Sequence, residues 1–274
     1  MLEPLRHANG VETLQSPLLR ECGVIHAFST RIGGVSPPPF DTLNLGSLAK
    51  STAADDPDDN LDDNANVAEN YRRFREAIGA TRLIRTAARQ VHGRRVWQPP
   101  TGPIRPEDVA EADAVVGGDP RQLLTIRTAD CLPVLVATPD GGHVAAAHAG
   151  WRGLVAGVLP ATVDALCERS GAKPRDLVAA IGPAIGVDSY EVGPEVANAF
   201  HEAGLVSAVR LDLGDRPHVD LRAAAILHLD EAGLATDRID TTDACTCREA
   251  ERFFSYRRDG KRSGRQASVI AARG

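Results

Sequence analysis

Five strand-like runs follow one another in the middle of this chain with no helical pattern between them, at residues 94–98, 114–116, 123–127, 132–137 and 144–147. A doubly wound parallel sheet needs a helical crossover between successive strands, so this crowding argues for an α+β chain whose sheets stack in layers. Further strand-like stretches lie at GVIHAFST (23–30), 177–181 and 267–272. Helical spacing is clearest over 63–78, where Val67, Tyr71, Phe74 and Ile78 recur at intervals of four and three and Gly79 can close the helix. Helix-like segments follow at 154–169, 195–203 and 221–232, whereas the first 22 residues, with Pro4 and Pro17, read as irregular. The expected architecture is a layered α/β sandwich with mixed β-sheets flanked by helices. With no internal repeat and no dividing linker, residues 1–274 read as a single domain.

Three soft ligands sit where strand-like stretches meet small-residue loops: His92 in RQVHG, Cys131 in TADCLPV and His148 in AAAHAGWRG. A thiolate with two imidazoles suits zinc or copper, and three protein ligands leave a fourth position open, as in catalytic zinc sites. This holds if the three converge in space. Each residue alone also has a plain reading, Cys131 as a small buried hydrophobe and His148 as a satisfied core histidine. Pro133 cannot donate to a ladder, which places Cys131 on the loop before its strand, beside Asp130. Gly150 and Gly153 let the chain turn into a helix whose start, with Arg152, favours an anion; alternatively Arg152 only packs on Trp151. Gln90, two residues before His92 on an expected strand, faces the same side and can orient a ligand or its water.

Other patterns are less committal. There is no HxH or HExxH, and Cys245-Thr246-Cys247 is a CxC pair with no second pair near it. TRIGG (30–34), with Arg31, and IGPAIG (181–186) can lay backbone N–H groups against an anion, but neither is a Walker A loop or GxGxxG. FFSYRRDGKRSGR (253–265) joins aromatics that can stack on a flat base to arginines that can bind phosphate, or it is a turn with cation–π packing. A net charge of −6 with no long basic run argues against nucleic-acid or anionic-membrane partners. No 18-residue apolar run predicts a membrane span, and the N-terminus lacks a secretory pattern. Five cysteines without a framework suit a reducing cytoplasm. The acidic run DDPDDNLDD reads as a solvated loop entering the first long helix.

Nine segments in order, FSTRIGGVS, LNLG, RQVHG, ADAVV, RTADCLPVL, AAHAGWRGL, IGPAIG, YEVGPEV and FFSYRRDGKRSGRQAS, resemble one family over most of the chain. It is the family named for multicopper polyphenol oxidoreductases, or laccase-domain proteins, which includes purine nucleoside phosphorylases and is related to a peptidoglycan editing factor. The resemblance implies a metal site on His92, Cys131 and His148, holding zinc or copper in its place. It also implies phosphorolysis of adenosine, inosine and methylthioadenosine, with adenosine deamination, so the partners are a purine nucleoside and phosphate. On this reading Cys131, Asp130 and Arg152 are the catalytic candidates, with Asp130 a proton shuttle beside the thiolate. Arg31, Asn44, Gln90, Tyr256 and Arg257 are the substrate-binding candidates, and Arg31, Arg152 or Arg257 neutralises phosphate. Ala184 stands where relatives often carry cysteine. The residues themselves speak against a multicopper mechanism, because eight histidines with no HxH pair cannot build a trinuclear copper centre. A metal-free cysteine hydrolase and a non-catalytic cell-wall precursor editing factor are the alternatives.

Overall fold

The computed structural model describes residues 1–46 and 62–274. Most of the acidic run therefore lies outside the described residues; Asp63 caps the first long helix by accepting from the Ala65 N–H.

Two six-stranded sheets carry the molecule. One has the order β1 (Glu3–Arg6), β2 (Glu12–Gln15), β3 (Ile25–Ser29), β14 (Gln266–Ala271), β7 (Gln122–Thr128) and β4 (Ile84–Thr86). The other has β13 (Ile239–Asp240), β10 (Val178–Ile181), β8 (Leu132–Ala137), β9 (Val144–Ala149), β6 (Ala114–Gly117) and β5 (Val96–Trp97). Both are mixed: β4 runs parallel to β7, β5 to β6 and β13 to β10, while the remaining pairs are antiparallel. A short ribbon, β11 (Val209–Arg210) with β12 (His218–Val219), lies apart from both.

The central strands are apolar on both faces because both faces are covered. In β8, Leu132, Val134 and Val136 join a core shared with helices, and Leu135 and Ala137 join the core between the sheets. Leu124, Ile126 and Ile270 meet that inner core from the first sheet. The helix-side core is closed by α3 (Trp151–Ala156), α4 (Val158–Ser170), α5 (Pro194–Glu202) and α6 (Leu221–Glu231) through Leu154, Leu166, Phe200 and Leu229. On the far side, α2 (Asn64–Ala77) presses Val67, Tyr71 and Phe74 on Ala267, Val269 and Leu123. The result is a helix–sheet–sheet–helix sandwich, in agreement with the expected class, with two short helices, α1 (Pro17–Glu21) and α7 (Tyr256–Asp259), at its rim.

Three local expectations are corrected. The first 22 residues are not irregular: β1 and β2 form a hairpin that extends the first sheet, and Ser16 and Pro17 start α1 as cap and first residue. The segment 154–169 is two helices, divided at Gly157, whose φ of 83° no continuous helix adopts. Gln90 and His92 lie on a loop rather than a strand, since β5 begins only at Val96.

Candidate metal centre

Strand direction brings the three ligands together. β8 and β9 are antiparallel and pair Pro133 with His148, so the loop residue Cys131 lies beside the C-terminal end of β9. β6 runs antiparallel to β9, which sets Asp113, just before β6, at the same end; β5 is parallel to β6 and brings the preceding His92 loop there too. The ligand atoms of His92, Cys131 and His148 all fall within 4.8 Å of one another. Cys131 Sγ is 3.8 Å from His92 Nε2, and the two imidazoles meet edge to face with centroids 4.8 Å apart. Tetrahedral zinc bonds of about 2.0–2.3 Å place ligands roughly 3.4–3.7 Å apart, so a small contraction around an ion suffices. The donor set fits zinc.

Asp113 organises this end. Its fully buried carboxylate takes His148 Nδ1 at 2.8 Å, leaving Nε2 of that ring for the cluster. It also accepts the backbone N–H groups of Val91, His92 and Gly93 at 3.3, 2.9 and 2.6 Å. These bonds hold His92 at φ 58°, a conformation rare for any residue but glycine. Carboxylate–histidine–metal relays of this kind fix the tautomer and ring orientation of a ligand. Asp113 lies in the ADAVV segment, but no role for it was read from the sequence; a lone acid before a strand gives no sign of what it accepts.

Charge in the cluster is self-supporting. Burial opposes ionisation of both Cys131 and His148, yet their mutual attraction, with His92 beside the thiol and Asp113 behind His148, wins. The Cys131 thiol is held below its usual range and the His148 ring above its own. Asp113 is likewise opposed by burial and held low by His148 and the N–H groups of Gly93 and His92. Gly150 packs so tightly here that a Cβ on it would stand 3.0 Å from Cys131 Sγ and 3.0 Å from the His92 ring.

The other candidates divide. Asp130, at φ 88°, accepts from the Thr246 and Ser255 hydroxyls and the Arg257 N–H at 2.6, 3.1 and 2.6 Å. Those bonds make it a clamp between the Cys131 loop and α7, a different task from the shuttle expected of it. Gln90 uses both ends of its amide on the Arg127 backbone, at 2.8 and 2.9 Å, and so does not orient the metal ligands. Arg31 pairs with Asp41 at 3.1 Å, donates to the Asp41 and Ala250 carbonyls and lies over the Phe254 ring at 4.4 Å. It borders an open cavity of about 760 Å³ whose lining includes none of the three ligands. Asn44 is buried and its carbonyl oxygen accepts from the N–H groups of Gly46 and Arg265. Arg152 stacks on Trp151 at 4.3 Å, four residues after His148, and Arg257 lies over Tyr190 at 5.2 Å. Tyr256, beside Arg257, is exposed. Tyr190 lies in the YEVGPEV segment, where nothing in the sequence marks it for a role.

The chain matches, over residues 25–273, the family model described as multi-copper polyphenol oxidoreductase laccase. Purine nucleoside phosphorylase YfiH of Escherichia coli (strain K12) is 42% identical over 249 residues, 90% of this chain and 93% of that protein. A purine nucleoside phosphorylase of Deinococcus radiodurans is 39% identical over 263 residues, 96% of this chain and 94% of its own length. The crystal structure of YlmD from Geobacillus stearothermophilus superposes with a TM-score of 0.83 at 28% identity, covering 99% of each chain.

Proposed function

The chain belongs to the multi-copper polyphenol oxidoreductase laccase family, and from that premise we propose that it is an enzyme of purine nucleosides. It cleaves adenosine, inosine or methylthioadenosine with phosphate and also deaminates adenosine. The observation that carries this reading is the convergence of His92, Cys131 and His148 with Asp113 behind His148. The relatives named purine nucleoside phosphorylase supply the substrate class. The oxidase half of the family's name does not fit the residues: two imidazoles and one thiolate can hold one ion, zinc or copper, but not a multicopper cluster.

These three side chains would hold a zinc ion, which would supply Lewis-acid chemistry. The chain's own contribution is placement. Asp113 holds His148 in one tautomer, and Asp130 ties Arg257 to the Cys131 loop. Nucleoside cleavage passes through an oxocarbenium-like state at C1′, so orientation of phosphate and screening of its charge carry the rate. No helix among the described residues is long and apolar enough to cross a membrane. We place the enzyme in the cytoplasm, where a thiolate ligand stays reduced.

A second reading has one observation in its favour: Asp113, His148 and Cys131 stand in the order of orienter, base and thiol nucleophile, the arrangement of a metal-free cysteine hydrolase. One experiment separates the readings. Protein purified without added metal is assayed for zinc and copper, and the same sample is given adenosine with phosphate and analysed by chromatography. About one zinc per chain, with product formation lost in Cys131→Ala, supports the metal enzyme. Adenine reports phosphorolysis and inosine reports deamination. Activity in metal-free protein, abolished by alkylation of Cys131, moves the assignment to the hydrolase. No product from any nucleoside leaves the editing or binding factor.

A further inference from the structure

Beside the three ligands stands a second group of side chains that metal binding does not use. Asp130 neighbours Cys131 and accepts the backbone N–H of Arg257, so the start of α7 is fastened to the thiolate loop. From that anchor the Arg257 guanidinium lies over the Tyr190 ring, 5.2 Å from its centroid, and donates Nη1 to the Glu191 carbonyl at 2.9 Å. Arg152 lies on the first turn after β9 and its His148, with its guanidinium stacked on Trp151 at 4.3 Å. Neither guanidinium has a carboxylate partner among the described residues, whereas Arg31 is neutralised by Asp41. Tyr190 ties the group together. Burial and the charges of Cys131 and Asp130 keep its phenol protonated, against the pull of Arg257 and Arg152. All four charges thus act on one half-buried hydroxyl, which stays a donor.

We propose that Arg152, Arg257 and the Tyr190 hydroxyl form an anion subsite beside Cys131 that takes inorganic phosphate as the co-substrate. The inference rests on the phosphorolysis reading above and names where its second substrate binds. Two planar guanidiniums and one hydroxyl present several donors to an ion whose oxygens only accept when it is a dianion except through its single O–H. In the reaction a phosphate oxygen forms the bond to C1′ as the C1′–N bond to the purine breaks. The electron pair of that bond leaves with the purine, and the proton carried by hydrogen phosphate ends on the departing base, giving ribose 1-phosphate.

The test is steady-state kinetics on the zinc-loaded protein with saturating inosine and varied phosphate, following hypoxanthine and ribose 1-phosphate, with inorganic phosphate binding measured in parallel by calorimetry. Arg257→Gln and Arg152→Gln are each expected to raise the phosphate KM about tenfold or more, and Tyr190→Phe roughly threefold to tenfold. The inosine KM and the zinc content are expected to stay within about twofold of wild type. Arg257→Lys retains the charge and is expected to recover part of the phosphate affinity; unfolding midpoints close to wild type exclude a folding defect. A raised inosine KM with an unchanged phosphate KM overturns the proposal and assigns these side chains to the nucleoside. If wild type forms no ribose 1-phosphate, the phosphorolysis reading fails separately, and calorimetry then decides the subsite. Phosphate binding lost in the Arg152→Gln, Arg257→Gln double variant supports it; equal binding by wild type and double variant overturns it.

Discussion

Asp113 bears on more of the candidate site than any of the three ligands, since one carboxylate orients His148 and pins the backbone of the His92 loop. Asp113→Asn keeps the size but turns one acceptor oxygen into a donor facing the N–H of Gly93 or His92. The expected outcome is a 10- to 100-fold loss of zinc affinity, on the order of that seen for ligand-orienting partners, with about 1–3 kcal/mol of stability lost to the unmatched buried group. Competition with a chelating dye measures the first and denaturant unfolding the second; unchanged zinc affinity would reduce Asp113 to a packing residue. Gly150→Ala tests the site's tolerance without that cost, because Gly150 has an ordinary φ of −71°. Its new methyl must push on Cys131 Sγ and the His92 ring. Zinc affinity is expected to drop severalfold while the apo-protein melts within a few degrees of wild type; an unaffected zinc affinity shows that the two ligands can yield. His92, Cys131 and His148 were legible as candidates because a thiol and two imidazoles at strand ends make a metal-suited set, although each alone has a plain reading. Asp113 was not: a polar side chain spends its hydrogen bonds on partners distant in sequence, as Asp113 does on His148, Asp130 on Thr246 and Ser255, and Gln90 on the Arg127 backbone, and only coordinates reveal where.

At the scale of elements, the buried strands read well and the edge did not. β8 and β9 are uniformly apolar or small except for Pro133 and His148 because both faces are covered, and that run survives translation into structure almost residue for residue. β1 is exposed along its whole length and β2 buries only Thr13 and Leu14 between half-buried ends, which leaves neither an apolar run nor a clear alternation. Their strand character comes from pairing, β1 with β2 and β2 with β3, a tertiary effect that local propensity does not register. The short helix after them falls in a stretch read as irregular, although Ser16-Pro17 is a cap followed by the residue favoured at a first helical turn. The joint between α3 and α4 is the element that yields a quantitative expectation. Gly157 sits at φ 83° with open space where a Cβ would be, so Gly157→Ala adds backbone strain and no clash. About 1 kcal/mol of destabilisation is expected, lowering the melting temperature by a few degrees. A calorimetric melt that is unchanged or raised would mean that α3 and α4 can run on as one helix.

For the molecule as a whole, the first sheet carries a pH liability remote in sequence from the metal centre's histidines. His26, on β3, is 3% exposed, and its Nε2 accepts the Ser16 N–H at 2.8 Å, a bond available only to the neutral ring. Burial is the main cause that pushes His26 down to about 4; Arg20 adds to it, and the Val24 carbonyl and Asp240 oppose it. The unfolded chain binds this proton near pH 6.5, the folded one near pH 4. Between these values the unfolded state holds more protons, so stability falls as the pH is lowered, by about 3 kcal/mol in total from this residue. Below pH 4 both states are protonated and the loss stops growing. Asp240, whose carboxyl lies below its usual range, loses its own contribution only at lower pH, outside this window. Zinc release would add a second acid-dependent loss, because imidazole and thiolate ligands must be deprotonated to bind metal. Melting curves from pH 7 to pH 4 are therefore compared in the presence of a chelator, which removes that contribution. His26→Gln can still accept the Ser16 N–H through its carbonyl oxygen but cannot titrate. Its stability is expected to be lower than wild type at pH 7 and to change less across the window. An acid slope identical to wild type would show that the charge is taken up elsewhere, with the Cys131–His148 pair as the next group to substitute.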